Sequence, residues 1–507
     1  MKAHTLFFLY AFAASCFVGF LIMQTRLRIH QAYKDKAKAR KEQDGAAAKK
    51  RRLKVVFLHP DLGIGGAERL VVDAAVSLQN QTLVPVEVTV VTNFHDPKRA
   101  FVETTDGTLK VLVRGRTNFP ASIFGRAKAL CADVRMMYAA LSVCWTHYDT
   151  DAFVVDQVSA AMLVLSYFAP YTPRIFYCHF PDLMCDSNRK EDGTLVSAAP
   201  GHKTYRGMMD ALEGAGMSMA TCILCNSIFS RGVTVSTFPY VESLVDKRPL
   251  YPPVTPKADL PDLSKLDDRL RGMLERVQSH TTFVSINRYE RKKNIGLAIE
   301  AFHKATQQEG VAWPKPPLLV VAGGYDNRLD ENVSYGEELQ KLARDTLQLS
   351  EDQVLFLRNI SAATKEFLLT HMFALVYTPA MEHFGIAPVE AMLRARPVIA
   401  VNHGGPCESV MDVQKHPEEA AGILCAPTAD AFAEAMLTLV KDEELAAKLS
   451  QQGERRATTV FSVAHCGDEL AKRLELECNA SMEKIIADLD AEAAQGGNTV
   501  PTEKKSH

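Results

Sequence analysis

The sequence predicts an α/β protein built from two doubly wound, mostly parallel sheets. Three observations predict it. Short apolar runs recur in both halves of the chain, each suited to a strand buried on both faces: Leu53–Leu58, Val86–Val91, Phe153–Asp156 and Arg174–Cys178 early, then Thr282–Ile286, Leu318–Ala322, Val354–Leu357, Ala374–Thr378 and Val398–Val401. Between them lie polar or glycine-bearing turns and stretches of helical periodicity, the rhythm of βαβ units. The length, 507 residues, exceeds what one ordinary core holds.

Taken in order, the chain opens with Thr5 to Met23, a run without a charged residue. Its length suffices for a helix to cross a hydrocarbon layer of about 30 Å. A cleaved signal peptide has a shorter apolar core of about 7–15 residues, so the length and the basic flank favour an uncleaved transmembrane anchor over residues 1–23. Residues 24–54 hold twelve Lys or Arg against three Asp or Glu. Positive charge stays cytosolic, which places the remaining chain in the cytosol. Residues 24–52 read as a basic juxtamembrane helix or flexible stalk, and attraction to anionic lipid would hold it near a membrane. The four sequons at Asn80, Asn332, Asn359 and Asn479 would then go unused.

The first domain, residues 53–263, begins with the strand Leu53–Leu58, a glycine-bearing turn through Gly66, and a helix over Gly66–Leu78. Ser187–His202 is polar and reads as a loop, and the Pro-bearing residues 249–263 read as a linker. The second domain, residues 264–465, repeats the pattern. Residues 466–507 divide into a helix to about residue 490 and a disordered tail, Ala491–His507.

Composition narrows the function classes. A hydrophobic share of 47%, a charged share of 23% and a net charge of −2 are ordinary globular values. They argue against a nucleic-acid partner, which calls for a basic excess. Eleven cysteines in so long a chain form no disulfide framework. Cys222 and Cys225 make one C-x-x-C inside an apolar run, without a second pair at zinc spacing, and read as buried thiols. Asp149-Thr150-Asp151 fits a D-x-D metal pattern but precedes a strand and reads as a turn; no metal and no cofactor are expected.

Candidate chemistry gathers where strands end. Glu382 and Glu390 lie on either side of a helix start, Gly385-Ile386-Ala387-Pro388, and precede the turn Gly404-Gly405. Pro is tolerated in the first turn of a helix, and glycines let backbone approach a ligand closely. Helix N-termini at the carboxyl ends of parallel strands favour phosphate. Carboxylates repel phosphate, so the two glutamates suit hydroxyls, and together the features suit a sugar nucleotide. A hydrolase could also use paired glutamates, but a neutral glycan needs no cationic clamp. Arg288 and Lys293, just past Ile286, would supply one, Arg as a fork and Lys as a point charge. Upstream, His179 ends the run Arg174–Cys178, with Asp182 placed to cap a helix, and Gly63-Ile64-Gly65-Gly66 forms a short glycine turn. That turn lacks the Lys-Ser/Thr of an ATP-binding loop.

Three segments carry a family resemblance: Tyr177–Asp182, Ser285–Asn294 and Glu382–Glu390. The Arg–Lys spacing of five, the Glu–Glu spacing of eight and the following Gly-Gly turn resemble the retaining nucleotide-sugar glycosyltransferases of family 4. Within that class they resemble the mannosyltransferases that extend the dolichol-linked oligosaccharide of N-glycosylation, over roughly residues 53–465. The resemblance implies a GT-B fold, two Rossmann-like domains facing a cleft, the first for the acceptor and the second for the donor, GDP-mannose. It implies His179, Arg288, Lys293 and Glu382 as catalytic residues. It adds Gly65, Gly66, Phe384, Gly385, Ile386 and Glu390 for donor binding, with Glu382 at the sugar and Glu390 at the ribose. It also implies transfer of α-1,3- and then α-1,6-linked mannose to mannosyl-chitobiosyl-diphosphodolichol. The setting it implies is the cytosolic side of the endoplasmic reticulum membrane, with other mannosyltransferases of the pathway as partners. Two other readings stay open at this point: a later-acting α-1,2-mannosyltransferase, and a sugar-nucleotide-binding subunit without activity.

Overall fold

Strand order decides where a doubly wound protein binds its ligand, and here two sheets carry the same order. The computed structural model describes residues 3–43, 51–80, 85–124, 126–185, 200–254 and 259–496, with side chains in the first helix described from Ser15. Two compact units result: Met1–Cys225 with Arg231–Leu250 and Gly467–His507, and Asn226–Ser230 with Tyr251–Cys466.

The first unit contains β1 (Leu53–Asp61), β2 (Val86–Phe94), β3 (Lys110–Val113), β4 (Ala152–Asp156), β5 (Arg174–Cys178) and β6 (Cys222–Cys225). They form a parallel sheet in the order β3-β2-β1-β4-β5-β6. The second unit contains β7 (Thr281–Ile286), β8 (Pro317–Gly323), β9 (Val354–Arg358), β10 (Ala374–Tyr377), β11 (Val398–Val401) and β12 (Gly422–Cys425). Its sheet is also parallel, in the order β12-β11-β10-β7-β8-β9. Both match the Rossmann order, with a switch point between β1 and β4 and another between β7 and β10.

The apolar runs are continuous because both faces of each sheet are covered. In the second unit Phe283, Leu319, Val376 and Ile399 pack on one side, and Val284, Val320, Leu375 and Ala400 on the other. Nine of these strands coincide with the expected runs and β6 with the apolar run that holds Cys222 and Cys225, but β3 and β12 were not expected. β3 is a four-residue strand at the sheet edge, exposed at both ends, and β12 is four residues opened by a glycine. Neither offers the long apolar run on which strand recognition rests.

The expected transmembrane anchor is not supported. Among the described residues no helix is long and apolar enough to cross a membrane. Thr5–Met23 lies instead within one helix, Ala3–Gln43, that runs on through the basic stretch. Residues 5–14 of the expected span fall outside the side chains described. From residue 25 onward the helix packs on the first unit, burying Thr25, Ile29, Ala32, Tyr33 and Ala37. The Tyr33 hydroxyl lies 3.0 Å from that of Thr172, and Lys36 pairs with Asp151 at 2.8 Å. The basic segment through Gln43 is therefore a docked helix.

Two boundaries also differ from expectation. The helix Val463–Gly496 continues through Ala491–Gly496, where Ala, Glu and Gln favour helix, and its Ile485 packs in the first unit's core; residues 497–507 fall outside those described. Most of the expected loop Ser187–His202 also lies outside them, and the helix Pro200–Ser218 begins within its end. Cys222 and Cys225 are buried free thiols. Asp149 and Asp151 sit in a turn and are held by Lys54 and by Lys36 and Arg51.

One buried ion pair steadies the helix that carries Glu390. Arg394, just past the helix Ile386–Leu393, donates through Nε and Nη2 to both oxygens of Glu366 at 3.0 and 2.5 Å, and through Nη1 to the Glu390 carbonyl at 3.2 Å. Removing one partner of such a pair strands the other charge. Arg394→Met should destabilise the second unit by about 3 kcal/mol, read as a lowered unfolding midpoint in denaturant; an unchanged midpoint would refute the pair's structural role.

Candidate active site

The second unit's site forms at its switch point. Past β7 the chain turns through Arg288 and Glu290, makes a single 3-10 turn, Arg291–Lys293, and enters the helix Ile295–Gln307. Past β10 it loops through Glu382 into the helix Ile386–Leu393. The two loops are tied together, since the Thr378 hydroxyl donates to the Lys293 carbonyl at 2.8 Å. Lys293 Nζ then meets Glu382 Oε2 at 2.5 Å, with both side chains mostly buried.

The electrostatics follow from that burial. Burial alone would raise the Glu382 carboxyl. The Lys293 ammonium, aided by the Tyr377 hydroxyl and His383, overrides it and holds the group below its ordinary value. Tyr377 is itself pushed up by burial and by Glu382, so it stays a neutral donor. Arg288 does not join Lys293 in this structure. Its guanidinium is exposed and pairs with Glu290 at 2.8 Å. Glu390 faces Lys365 at 2.7 Å.

The glycines act on backbone more than was expected of them. Gly404 has φ +70°, and a side chain there would lie 2.6 Å from the Glu382 carbonyl oxygen. At Gly405 it would fall 2.3 Å from Phe384 Cα, while the Gly405 N–H donates to the Glu382 carbonyl at 2.8 Å. The Gly-Gly turn therefore packs against the glutamate loop and fixes its path. Phe384 is not a lining residue: its ring is buried between Tyr251 and Phe461, at centroid distances of 5.7 and 5.5 Å. Gly385, at φ +83°, precedes the helix that Ile386 opens, and the Ile386 side chain is exposed. Ser227, unremarked in the sequence, donates to the His383 carbonyl at 2.5 Å.

In the first unit, the carboxyl ends of β1, β4 and β5 bring three groups together. Asp156 is fully buried, with Oδ2 2.9 Å from His59 Nδ1 and Oδ1 2.9 Å from His179 Nε2. Burial would raise Asp156, but His179 and His59 hold it well below the usual carboxylate range. Burial would lower His179, yet Asp156, with Glu68 adding to it, raises it above the ordinary imidazole value. Gly65 precedes the helix Gly66–Gln79 and leaves room for the Glu68 carboxylate, which an added side chain would meet at 2.2 Å. Asp182 opens the short helix Asp182–Cys185, with its N–H donating to Glu213.

Comparison with known proteins extends this geometry. A model of glycosyl transferases group 1 matches residues 268–456, most of the second unit. The α-1,3/1,6-mannosyltransferase of Rhizomucor pusillus is 38% identical over 447 residues, covering 84% of this chain and 92% of its own. The human α-1,3/1,6-mannosyltransferase is 39% identical over 417 residues, covering 80% and 92%. The chain belongs to the α-1,3/1,6-mannosyltransferase family. It is a glycosyltransferase, of GT-B type with two Rossmann-like sheets. Sucrose-phosphate synthase from Thermosynechococcus elongatus shares the fold at TM-score 0.61 and 18% identity, over 85% of this chain and all of its own. The catalytic domain of starch synthase IV from Arabidopsis thaliana does so at 0.60 and 14%, with the same coverages.

Sequence reading of this mannosyltransferase-family chain missed His59, Asp156, Tyr377 and Lys365. A signal for the first three existed: each is a polar group at or near the carboxyl end of an otherwise apolar strand. Lys365 carried none, because only the fold brings its helix Ala362–His371 to Glu390.

The Lys293–Glu382 pair has a pH signature. A carboxylate whose folded pKa is depressed contributes stability fully present above its unfolded value, 4.5, and lost as pH falls through the lower folded one. In Lys293→Met burial dominates, and the Glu382 charge becomes a liability relieved by acid. The stability gap between wild type and variant should thus be widest near neutrality, begin to narrow above pH 4.5 as the variant's carboxyl takes up its proton, and narrow further below 4.5 as the wild-type pair is lost. Denaturant midpoints across that range test it; a constant gap would contradict the coupling.

Proposed function

We propose that the protein transfers mannose from GDP-mannose to mannosyl-chitobiosyl-diphosphodolichol, first in α-1,3 and then in α-1,6 linkage, with retention. The observation that carries this reading is the Lys293–Glu382 pair at the second sheet's switch point, in a chain of this family. The relatives are named for both linkages. The C1–phosphate bond of GDP-mannose breaks as the acceptor oxygen bonds to C1 from the same face, and the acceptor proton passes to the departing phosphate.

Lys293 suits the growing charge on GDP, because a cation fixed in a partly buried site needs little reorganisation as charge develops. Glu382, already bound to that cation, suits the mannose hydroxyls. Glu390 suits the ribose, its carboxylate held in place by the ion pair with Lys365. Arg288, on an exposed loop, is free of burial and can swing to the diphosphate. Gly65 and Gly66 offer backbone N–H groups at a helix start. His179 suits a hydrogen bond to a sugar hydroxyl.

The setting we propose is the cytosolic face of the endoplasmic reticulum membrane, beside other mannosyltransferases of the pathway. Phe17, Phe20, Met23 and Leu27 are exposed on the first helix, an apolar approach to lipid. Asn332 is buried and accepts from the Asp326 N–H at 3.0 Å, and Asn359 exchanges hydrogen bonds with the Tyr325 backbone. The Asn332 side chain is thus committed inside the fold, in accord with a body that meets no glycosylation machinery, while Asn359 is exposed and tied to the Tyr325 backbone. Endoglycosidase treatment of protein from microsomes should leave its gel mobility unchanged; a shift would put the body in the lumen.

Full-length protein given GDP-mannose and the synthetic monomannosyl lipid should yield a product two mannoses longer, and no product would sink the proposal. The two glutamates should fail differently. Glu390→Gln should weaken affinity for free GDP, which keeps the ribose. Glu382→Gln should depress turnover at saturating donor with GDP affinity nearly kept, because GDP lacks mannose. Calorimetry beside saturating kinetics reads both, and equal loss of GDP affinity would contradict the division.

A further inference from the structure

The first unit's buried cluster assigns a role to a residue that no motif announces. Asp156 ends β4 with its carboxylate enclosed, and two histidines from neighbouring strands share it: His59 within β1 and His179 just past β5. The two are not equivalent. His59 is wholly buried, hydrogen-bonded to Asp156 through Nδ1, and its Nε2 has no hydrogen-bond partner among the described residues; His179 Nε2 meets Asp156 Oδ1 at 2.9 Å as an ion pair, without hydrogen-bond geometry. Protonating His59 would place a second N–H there with nothing to accept it, a cost of about 1–3 kcal/mol for a buried donor. The His179 side chain keeps about a quarter of its surface exposed, so an N–H on its other nitrogen, Nδ1, can reach solvent or substrate. A proton shared by the cluster therefore belongs on His179.

The surroundings favour the same placement. The charged and titratable groups facing His179 are Asp156 from β4, with His59 of β1 behind it, and Glu68 from the helix Gly66–Gln79; the Tyr177 ring meets it edge-on at 4.9 Å. Two carboxylates thus face the imidazole. The backbone beside the cluster is also strained, since Gln157 holds φ +62° directly after Asp156.

We propose that Asp156 is a positioning residue for the transfer, holding His179 through Nε2 so that it stays an imidazolium and presents Nδ1–H as a donor at the sheet edge. An imidazolium has no lone pair with which to take the acceptor proton. His179 then acts by hydrogen bonding and charge, and the acceptor proton must leave by another route. This rests on the reading that His179 stands at the reacting centre.

The test uses the full-length protein with GDP-mannose and the monomannosyl lipid, following kcat against pH for wild type, Asp156→Asn and His179→Gln. The active form carries the His179 proton, so activity falls on the basic side. Without the Asp156 charge that limb should move about one pH unit toward acid, with turnover near neutrality about tenfold lower. GDP affinity by calorimetry should change less than about twofold, since Asp156 is not assigned to the nucleotide. An unmoved basic limb overturns the proposal while a slow His179→Gln keeps the underlying reading. Full activity in His179→Gln overturns both. Should Asp156→Asn fail to fold, nitrogen-15 histidine spectra of the wild type at neutral pH decide: a doubly protonated His179 ring supports the proposal, and a neutral His179 overturns it.

Discussion

The mostly buried ion pair between Lys293 and Glu382 is the constraint from which the rest of the second unit's site follows. Each charge alone would be costly where it lies, and together they draw the loops past β7 and β10 into one place. The Thr378–Lys293 hydrogen bond closes the same junction through backbone. Loop position, helix start and carboxylate ionisation thus share one cause. On the proposed reading, a site held this way would offer a fixed cation to a developing phosphate charge, the arrangement from which electrostatic catalysis gains most.

The glycine turn after β11 shows how packing serves that pair. Any side chain at Gly405 would collide with the Phe384 backbone, so the turn can lie flat against the glutamate loop. Phe384 in turn is anchored by Tyr251 and Phe461. A residue that family resemblance puts among donor contacts is, in its side chain, a core residue.

Most of the fold was legible because both sheets are buried on two faces, which makes their strands uninterrupted apolar runs. The edges were not, because β3 and β12 lack that run. The first helix was read as an anchor followed by a basic helix or stalk; its charges hid the buried stripe Ile29, Ala32, Tyr33 and Ala37, which packs it on the first unit. Within the site, residues near one another in sequence were readable, as with Glu382 and Gly385. Partnerships across the sheet were not. Nothing in the sequence pairs Lys293 with Glu382 rather than with Arg288, or joins Asp156 to both His59 and His179, because strand order alone makes those neighbours.

If Lys293 and Glu382 act as one unit, their losses cannot be independent. A double-mutant cycle on kcat with GDP-mannose, using Lys293→Met, Glu382→Gln and the combined variant, tests this most directly. The account predicts that the combined variant is slower than the worse single variant by less than about threefold, since either change already dissolves the unit. Losses that multiply would mean that the two residues work separately, and the pair would then be a feature of packing only.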